Sequence, residues 1–252
     1  MTDAATPHSI SAGTGPGVVF IHGAGGNAAV WWDQMRAFSK THKAVAYDLA
    51  GFGRTPPPNP ETYAADLTPA CTAVMDAAGL KTASLVCQSL GGWTGLRMAL
   101  EAPERVEKLV LSCTMAGIAH PPAIQSVQES FGKMDERGPA SVALSHAIMD
   151  AEPAKAYLYQ QIGAFNTAYD PSLAQVLFSP DVLVAVERLA EVKCPVLILA
   201  GEHDALWPPH ALEGLVRKYP DARMHIFPGS GHSPYFEQPE EFNRVVAAFL
   251  AA

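Results

Sequence analysis

Short apolar runs that alternate with longer amphipathic stretches constrain this chain more than any other feature. Val18–Ile21, Ala44–Tyr47, Ser84–Cys87, Leu109–Ser112, Val196–Ala200 and Met224–Phe227 are too short for helices and are bounded by Gly, Pro or polar residues, so they read as strands. Trp32–Ser39, Tyr63–Ala78, Gly91–Glu101, Ala211–Lys218 and Pro239–Leu250 lie between or after them and read as helices. Strand and helix in regular succession predict a mostly parallel central sheet with helices on both faces, an α/β fold.

The rhythm breaks once. From Ala119 to Leu189 no strand pattern occurs, and helical stretches interrupted by Pro and Gly fill the gap. That is too long for a plain connection in a compact domain, so a helical insertion capping the sheet is expected. Only 17 residues precede Val18. The sheet is therefore expected to be shortened at that edge, with at most one weak strand upstream of Val18.

Four strand ends carry chemistry. Cys87-Gln88-Ser89-Leu90-Gly91-Gly92 joins a strand to a helix, a sharp turn that lifts a serine hydroxyl above the sheet. Taken alone it also reads as an ordinary serine at a helix N-cap. Val18 to Gly26 runs a strand into a glycine-rich turn, His22-Gly23-Ala24-Gly25-Gly26, able to aim backbone N–H groups at a developing oxyanion. A phosphate loop is the competing reading there, but neither the G-x-G-x-x-G spacing nor a P-loop lysine is present; His22 reads as structural, holding the turn. Asp204 sits just past the strand Val196–Ala200, deeper in its loop than Glu202. In an open parallel sheet ligands and catalysts gather at that edge, although an aspartate there also serves common turns. His232 follows the last strand in Phe227-Pro228-Gly229-Ser230-Gly231-His232-Ser233-Pro234. The order Ser, Asp, His is that of a nucleophile-elbow hydrolase, and four pieces in register weigh more than any one.

At these residues the chain resembles the α/β-hydrolase superfamily of serine hydrolases. Asp48-Leu49-Ala50-Gly51-Phe52-Gly53-Arg54, Ala102-Pro103-Glu104-Arg105-Val106 and the stretch from Gly231-His232 to Glu237-Gln238-Pro239-Glu240 agree with it. Gly91-Gly92-Trp93-Thr94-Gly95 and Leu109-Val110-Leu111-Ser112-Cys113-Thr114 are similar to small bacterial esterases and 3-oxoadipate enol-lactonase, with C–C bond hydrolases close by. The resemblance implies an α/β-hydrolase fold whose core spans residues 1–118 and 190–252, with a helical lid, 119–189, inserted after strand six. It implies Ser89 as nucleophile, His232 as base, Asp204 as orienting acid, and the backbone N–H groups of Ala24 and Leu90 as oxyanion donors, with no cofactor and no metal. Cys87 departs from the pattern, which has glycine two places before the serine. Trp31, Trp93, Met115, Phe131 and Trp207 are candidate walls of a pocket beneath the lid.

Three functions compete: hydrolysis of a small carboxylic ester or lactone, C–C cleavage of a vinylogous diketone, and a non-enzymatic receptor-like or scaffolding role. A serine at the elbow speaks against chemistry that needs an aspartate nucleophile. Arg54 and His203 are the cationic groups nearest the motif loops, so a neutral or weakly polar small-molecule substrate is expected. The net charge of -8 without a basic cluster argues against a nucleic-acid partner. No apolar run approaches the roughly 20 residues of a membrane helix, and the N-terminus shows no signal-peptide pattern, so a cytoplasmic protein without membrane association is expected. Cys71, Cys87, Cys113 and Cys194 sit in apolar segments and read as reduced core residues. Monomer and homodimer both remain open.

Overall fold

The computed structural model describes residues 6–131, 135–136, 140–168, 170 and 172–252, without the side chains of Phe131 and Ala174. Among them, seven strands form one sheet: β1 (Ser9–Ala12), β2 (Gly17–Ile21), β3 (Lys43–Tyr47), β4 (Ala83–Gln88), β5 (Val106–Ser112), β6 (Val196–Gly201) and β7 (Ala222–Phe227). Their order is β1-β3-β2-β4-β5-β6-β7. Only β1 runs antiparallel, pairing Ser9 with Tyr47 and Ala12 with Ala44. The remaining neighbours are parallel, so the C-terminal ends of β2 and of β4 to β7 share one rim.

The central strands are unbroken apolar runs because both faces are covered. Along β2 the pleat sends Val19 and Ile21 to one core and Val18 and Phe20 to the other. Helices α1 (Trp32–Phe38) and α11 (Pro239–Ala251) cover the second core, placing Phe242, Val246 and Phe249 at helical spacing against the sheet. Helices α2 (Tyr63–Ala77), α3 (Gly91–Glu101) and α9 (Pro209–Val216) cover the first. Fully burying a side chain such as Phe242 contributes about 1.5–3 kcal/mol.

Among the described residues one four-residue, mostly exposed strand precedes β2, as expected. β5 begins three residues before the expected Leu109, where Glu107 and Lys108 break the apolar pattern. Lys108 reaches across to donate to the carbonyls of Phe249 and Leu250, a favourable place for a cation at a helix C-terminus. Helix α9 begins at Pro209, ahead of the expected Ala211, since proline is preorganised for the first helical turn.

The insertion falls after β5, the fifth strand in chain order, and not after a sixth as expected; between β5 and β6 the described residues form α-helices, a 3-10 helix at Val186–Glu191 and one isolated bridge. The helices are α4 (Pro121–Phe131), α5 (Ala140–Ala143), α6 (His146–Ala151), α7 (Pro153–Ala164) and α8 (Ser172–Leu177). Ile118 pairs with Val184 at the bridge, and their neighbours exchange hydrogen bonds, Ala119 N to Val184 O and Val184 N to Gly117 O, both 2.8 Å. The excursion thus leaves and rejoins the body at one place. Its apolar residues are shared between the two cores.

Candidate active site

Four loops meet above the rim, held by hydrogen bonds within and between them. Ser89 follows β4 with φ of 49°, a left-handed conformation that costs a non-glycine residue about 1–3 kcal/mol. The turn is over-determined. Ser89 N donates to Ser112 O at 3.0 Å, and Gly92 N donates to Ser89 O at 2.9 Å. The Thr114 hydroxyl donates to the same oxygen at 2.6 Å. The residue that departs from the family pattern is accommodated next door: Cys87 is fully buried, and a Cβ on Gly95 would lie 2.5 Å from its Sγ. The absent side chain on α3 makes the room that a glycine at 87 would otherwise make. Burial pushes the Cys87 thiol well above its ordinary pKa, which leaves it unreactive.

The His22-Gly23-Ala24 turn packs directly on this elbow. A Cβ on Gly23 would run into Gln88 Oε1 and Ser89 Cβ, so only glycine permits the approach. His22 is buried and holds the turn as expected. Its Nδ1–H donates to Gly23 O at 2.8 Å and its Nε2 accepts from Leu49 N at 2.9 Å. That pattern requires the neutral ring. Burial lowers its pKa to about 4, partly offset by the Gly23 hydrogen bond and the charge of Asp48. Among the described residues, neither the Ala24 amide nor the Leu90 amide has a backbone partner.

The unfolded histidine binds a proton near pH 6.5 and the folded one near about 4, so the stabilisation is full above the unfolded pKa and is lost as pH falls through that window. A shift of this size corresponds to about 3 kcal/mol. Urea unfolding at both ends of the window should show this loss in the wild type and a shallower one in His22→Asn; equal losses would place the effect in other groups.

Asp204 and His232 come from neighbouring strands, β6 and β7, and touch. His232 Nδ1 lies 2.9 Å from Asp204 Oδ2 and 3.1 Å from Oδ1. Asp204 Oδ1 also accepts from the amides of Leu206 (2.8 Å) and Trp207 (3.1 Å). Burial would raise this carboxyl; the proximity of His232, its hydrogen bond and the two amides outweigh burial and hold the pKa below the ordinary value. Glu202, the alternative acid, is turned away and accepts from Gly229 N at 2.8 Å. The His232 loop reaches the elbow through Gln88, whose Nε2 donates to His232 O at 3.2 Å. Ser89, Asp204 and His232 are each under 10% exposed, at 7%, 3% and 4%.

Cys113 lies beside this pair, its Sγ and the ligand atoms of Asp204 and His232 all within 4.8 Å of one another. Among the described residues this is the group whose spacing would suit a metal ion. However, Nδ1 is already committed to Asp204, and burial together with the Asp204 charge pushes the Cys113 thiol well up. A protonated thiol next to a carboxylate acts as a hydrogen-bond donor.

The candidate wall residues divide. Trp93 and Trp207 stand together, ring centroids 6.2 Å apart, with Trp207 5.6 Å from the His232 ring. Each indole N–H ties the body to a helix of the insertion: Trp93 to Leu177 O at 3.1 Å and Trp207 to Ala123 O at 3.0 Å. Met115 is fully buried in the same core. Trp31 is elsewhere, packed among Phe20, Tyr235 and Phe242 on the opposite face of the sheet. Its place in the 3-10 turn Ala28–Trp31 aims it into the body, so the expectation of a wall role is corrected. The side chain of Phe131 lies outside the described residues.

Sequence reasoning passed over several residues that shape the loops. Asp48 accepts from Ala28 N (2.7 Å) and Arg54 N (2.9 Å). Asn166, just after α7, accepts from Gly53 N (2.9 Å) and donates to Gly25 O (2.9 Å) and Gly26 O (3.1 Å). Glu237 accepts amides on both sides of His232. Asp48 and Glu237 fall within motifs already quoted, but a motif does not say which backbone atoms a side chain will reach.

The model of the alpha/beta hydrolase family matches residues 18–245. A protein of Variovorax paradoxus (strain S110) named "Putative carbamate hydrolase RutD" is 31% identical over 249 residues, covering 94% of this chain and 92% of its own length. The pimeloyl-[acyl-carrier protein] methyl ester esterase of Aeromonas hydrophila subsp. hydrophila is 26% identical over 249 residues, covering 94% of this chain and 96% of its own. The crystal structure of the enol-lactonase from Burkholderia xenovorans LB400 shares the fold, with a TM-score of 0.78 and 20% identity over 97% of this chain and 96% of that one.

Proposed function

The chain belongs to the alpha/beta hydrolase family, and from that premise we propose that it is a serine hydrolase cleaving a small carboxylic ester or lactone through an acyl-enzyme on Ser89. The observation that carries this reading is the buried Asp204–His232 pair at 2.9 Å, on the same rim as a serine held in a strained elbow. A serine hydroxyl is a weak nucleophile at neutral pH and needs such a base.

His232 takes the hydroxyl proton as Ser89 attacks the acyl carbonyl. Asp204 fixes the imidazole with its proton on Nδ1, leaving Nε2 as the base, and stabilises the imidazolium that forms. The Ala24 and Leu90 amides take up the charge on the tetrahedral intermediate; losing one such donor typically costs about 2.7–4 kcal/mol. His232 returns the proton to the leaving group and then activates water to release the acid. No step calls for a cofactor.

Residues 119–189 form the lid in this account, with Trp93, Trp207 and Met115 on the wall of the space beneath it. A neutral substrate fits the charges: Arg54 lies 3.3 Å from His8 on the surface, and His203 is largely exposed beside Glu202. Among the described residues no helix is long and apolar enough to cross a membrane.

The test is a turnover panel of short p-nitrophenyl esters, enol lactones, a carbamate and a vinylogous diketone. The proposal expects ester or lactone turnover with a preference for short acyl chains. Turnover of the carbamate alone would move the substrate class toward that named for the Variovorax relative, turnover of the diketone alone would replace ester hydrolysis by C–C cleavage, and none at all would favour a non-enzymatic role.

A further inference from the structure

The geometry points to Glu237 as a positioning residue that fixes the His232 loop and couples it to the seating of the helical insertion. This rests on the reading of His232 as the base. Glu237 ends the short helix α10 (Pro234–Glu237) and is only 2% exposed. Its Oε1 accepts from Gly231 N at 3.0 Å and from Ser233 N at 3.1 Å. Its Oε2 accepts from Gly231 N at 2.9 Å and from Ser145 N at 3.0 Å. One carboxylate therefore gathers the amides immediately before and after His232, and with the same charge holds the residue that caps α6 in the insertion.

A buried carboxylate is costly unless its oxygens are saturated with donors, and here backbone amides supply them. Asp204 holds the imidazole ring, whereas Glu237 holds the backbone from which the ring projects. The approach of the insertion is close: a Cβ on Gly231 would lie 2.5 Å from Ser145 N and 2.8 Å from Leu144 C. Two more residues of the insertion reach the same segment. Lys155 Nζ donates to Glu237 O at 3.2 Å, and the Tyr159 and Ser233 hydroxyls are 3.3 Å apart. Displacing the insertion removes a donor from Glu237 Oε2 and loosens the loop that carries His232, so the base is in register only while the insertion is seated.

Glu237→Gln tests this with little change of volume. The amide's NH2 would face an N–H donor where a carboxylate oxygen now accepts, so the loop must shift. A displacement of about 1 Å at a catalytic group costs roughly 100-fold in rate. The expected result is a kcat about 100-fold lower on a p-nitrophenyl ester, with KM within about threefold of wild type. In the resting protein, proton NMR should show the downfield His232 Nδ1–H signal broadened or lost. Gly231→Ala, which leaves the carboxylate intact but pushes Ser145 away, should move both readouts in the same direction, and it decides the matter if Glu237→Gln does not fold. Folded variants with wild-type kcat and an unchanged Nδ1–H signal would overturn the proposal. The NMR signal is read without substrate, so a failure of ester hydrolysis in the wild type, which would sink the functional proposal, is distinguishable from a failure of this one.

Discussion

Ser89→Ala should lower kcat on any ester or lactone the protein turns over by roughly 10⁶-fold, since the triad works as a unit and loss of its nucleophile costs about as much as loss of all of it. The fold should survive. The contacts that shape the elbow are made by the backbone of residue 89, with Ser112 O, Gly92 N and the Thr114 hydroxyl, and alanine keeps them. Alanine also pays no more than serine for φ of 49°. The variant is therefore expected to unfold at the same urea concentration as wild type while losing turnover. The residual rate reflects binding and the oxyanion amides. A kcat within tenfold of wild type would remove Ser89 from the chemistry.

Asp204→Asn should cost about 10⁴-fold in kcat, and the hydrogen bonds around residue 204 explain why. Oδ1 is pinned by the amides of Leu206 and Trp207, which can bond only to an acceptor. An asparagine must keep its oxygen there, so its NH2 group takes the place of Oδ2, the atom 2.9 Å from His232 Nδ1. An NH2 group in that position donates to Nδ1 and drives the imidazole proton onto Nε2, the wrong tautomer for a base. The variant should keep its KM and its fold, and steady-state kinetics on a short ester measures the loss. A loss of tenfold or less would mean that Asp204 does not set the tautomer.

Much of this arrangement was legible in the sequence because it is written in periodicity. Runs such as Val196–Ala200 announce strands buried on both faces. The placing of Ser89, Asp204 and His232 in loops after strands was legible because each follows an apolar run. Trp31 was misplaced because an aromatic beside a motif loop has no sign that says which face of the sheet it joins; only the turn Ala28–Trp31 decides that. Glu237, Asn166, Asp48 and Gln88 were passed over for another reason. Each has at least one partner brought near by tertiary structure, across separations such as the 92 residues from Ser145 to Glu237, and no local pattern encodes such a partner. Cys87 looked like a flaw in the elbow, and its compensation at Gly95 becomes visible only when α3 is laid against β4.

The central claim is that Ser89 is an activated nucleophile, and its most direct test is reaction of the folded protein with a fluorophosphonate probe, followed by mapping of the adduct by mass spectrometry. The account predicts one adduct, on Ser89, abolished in Ser89→Ala and slowed in Asp204→Asn. A folded protein that takes no label, or takes it at another residue, would contradict it.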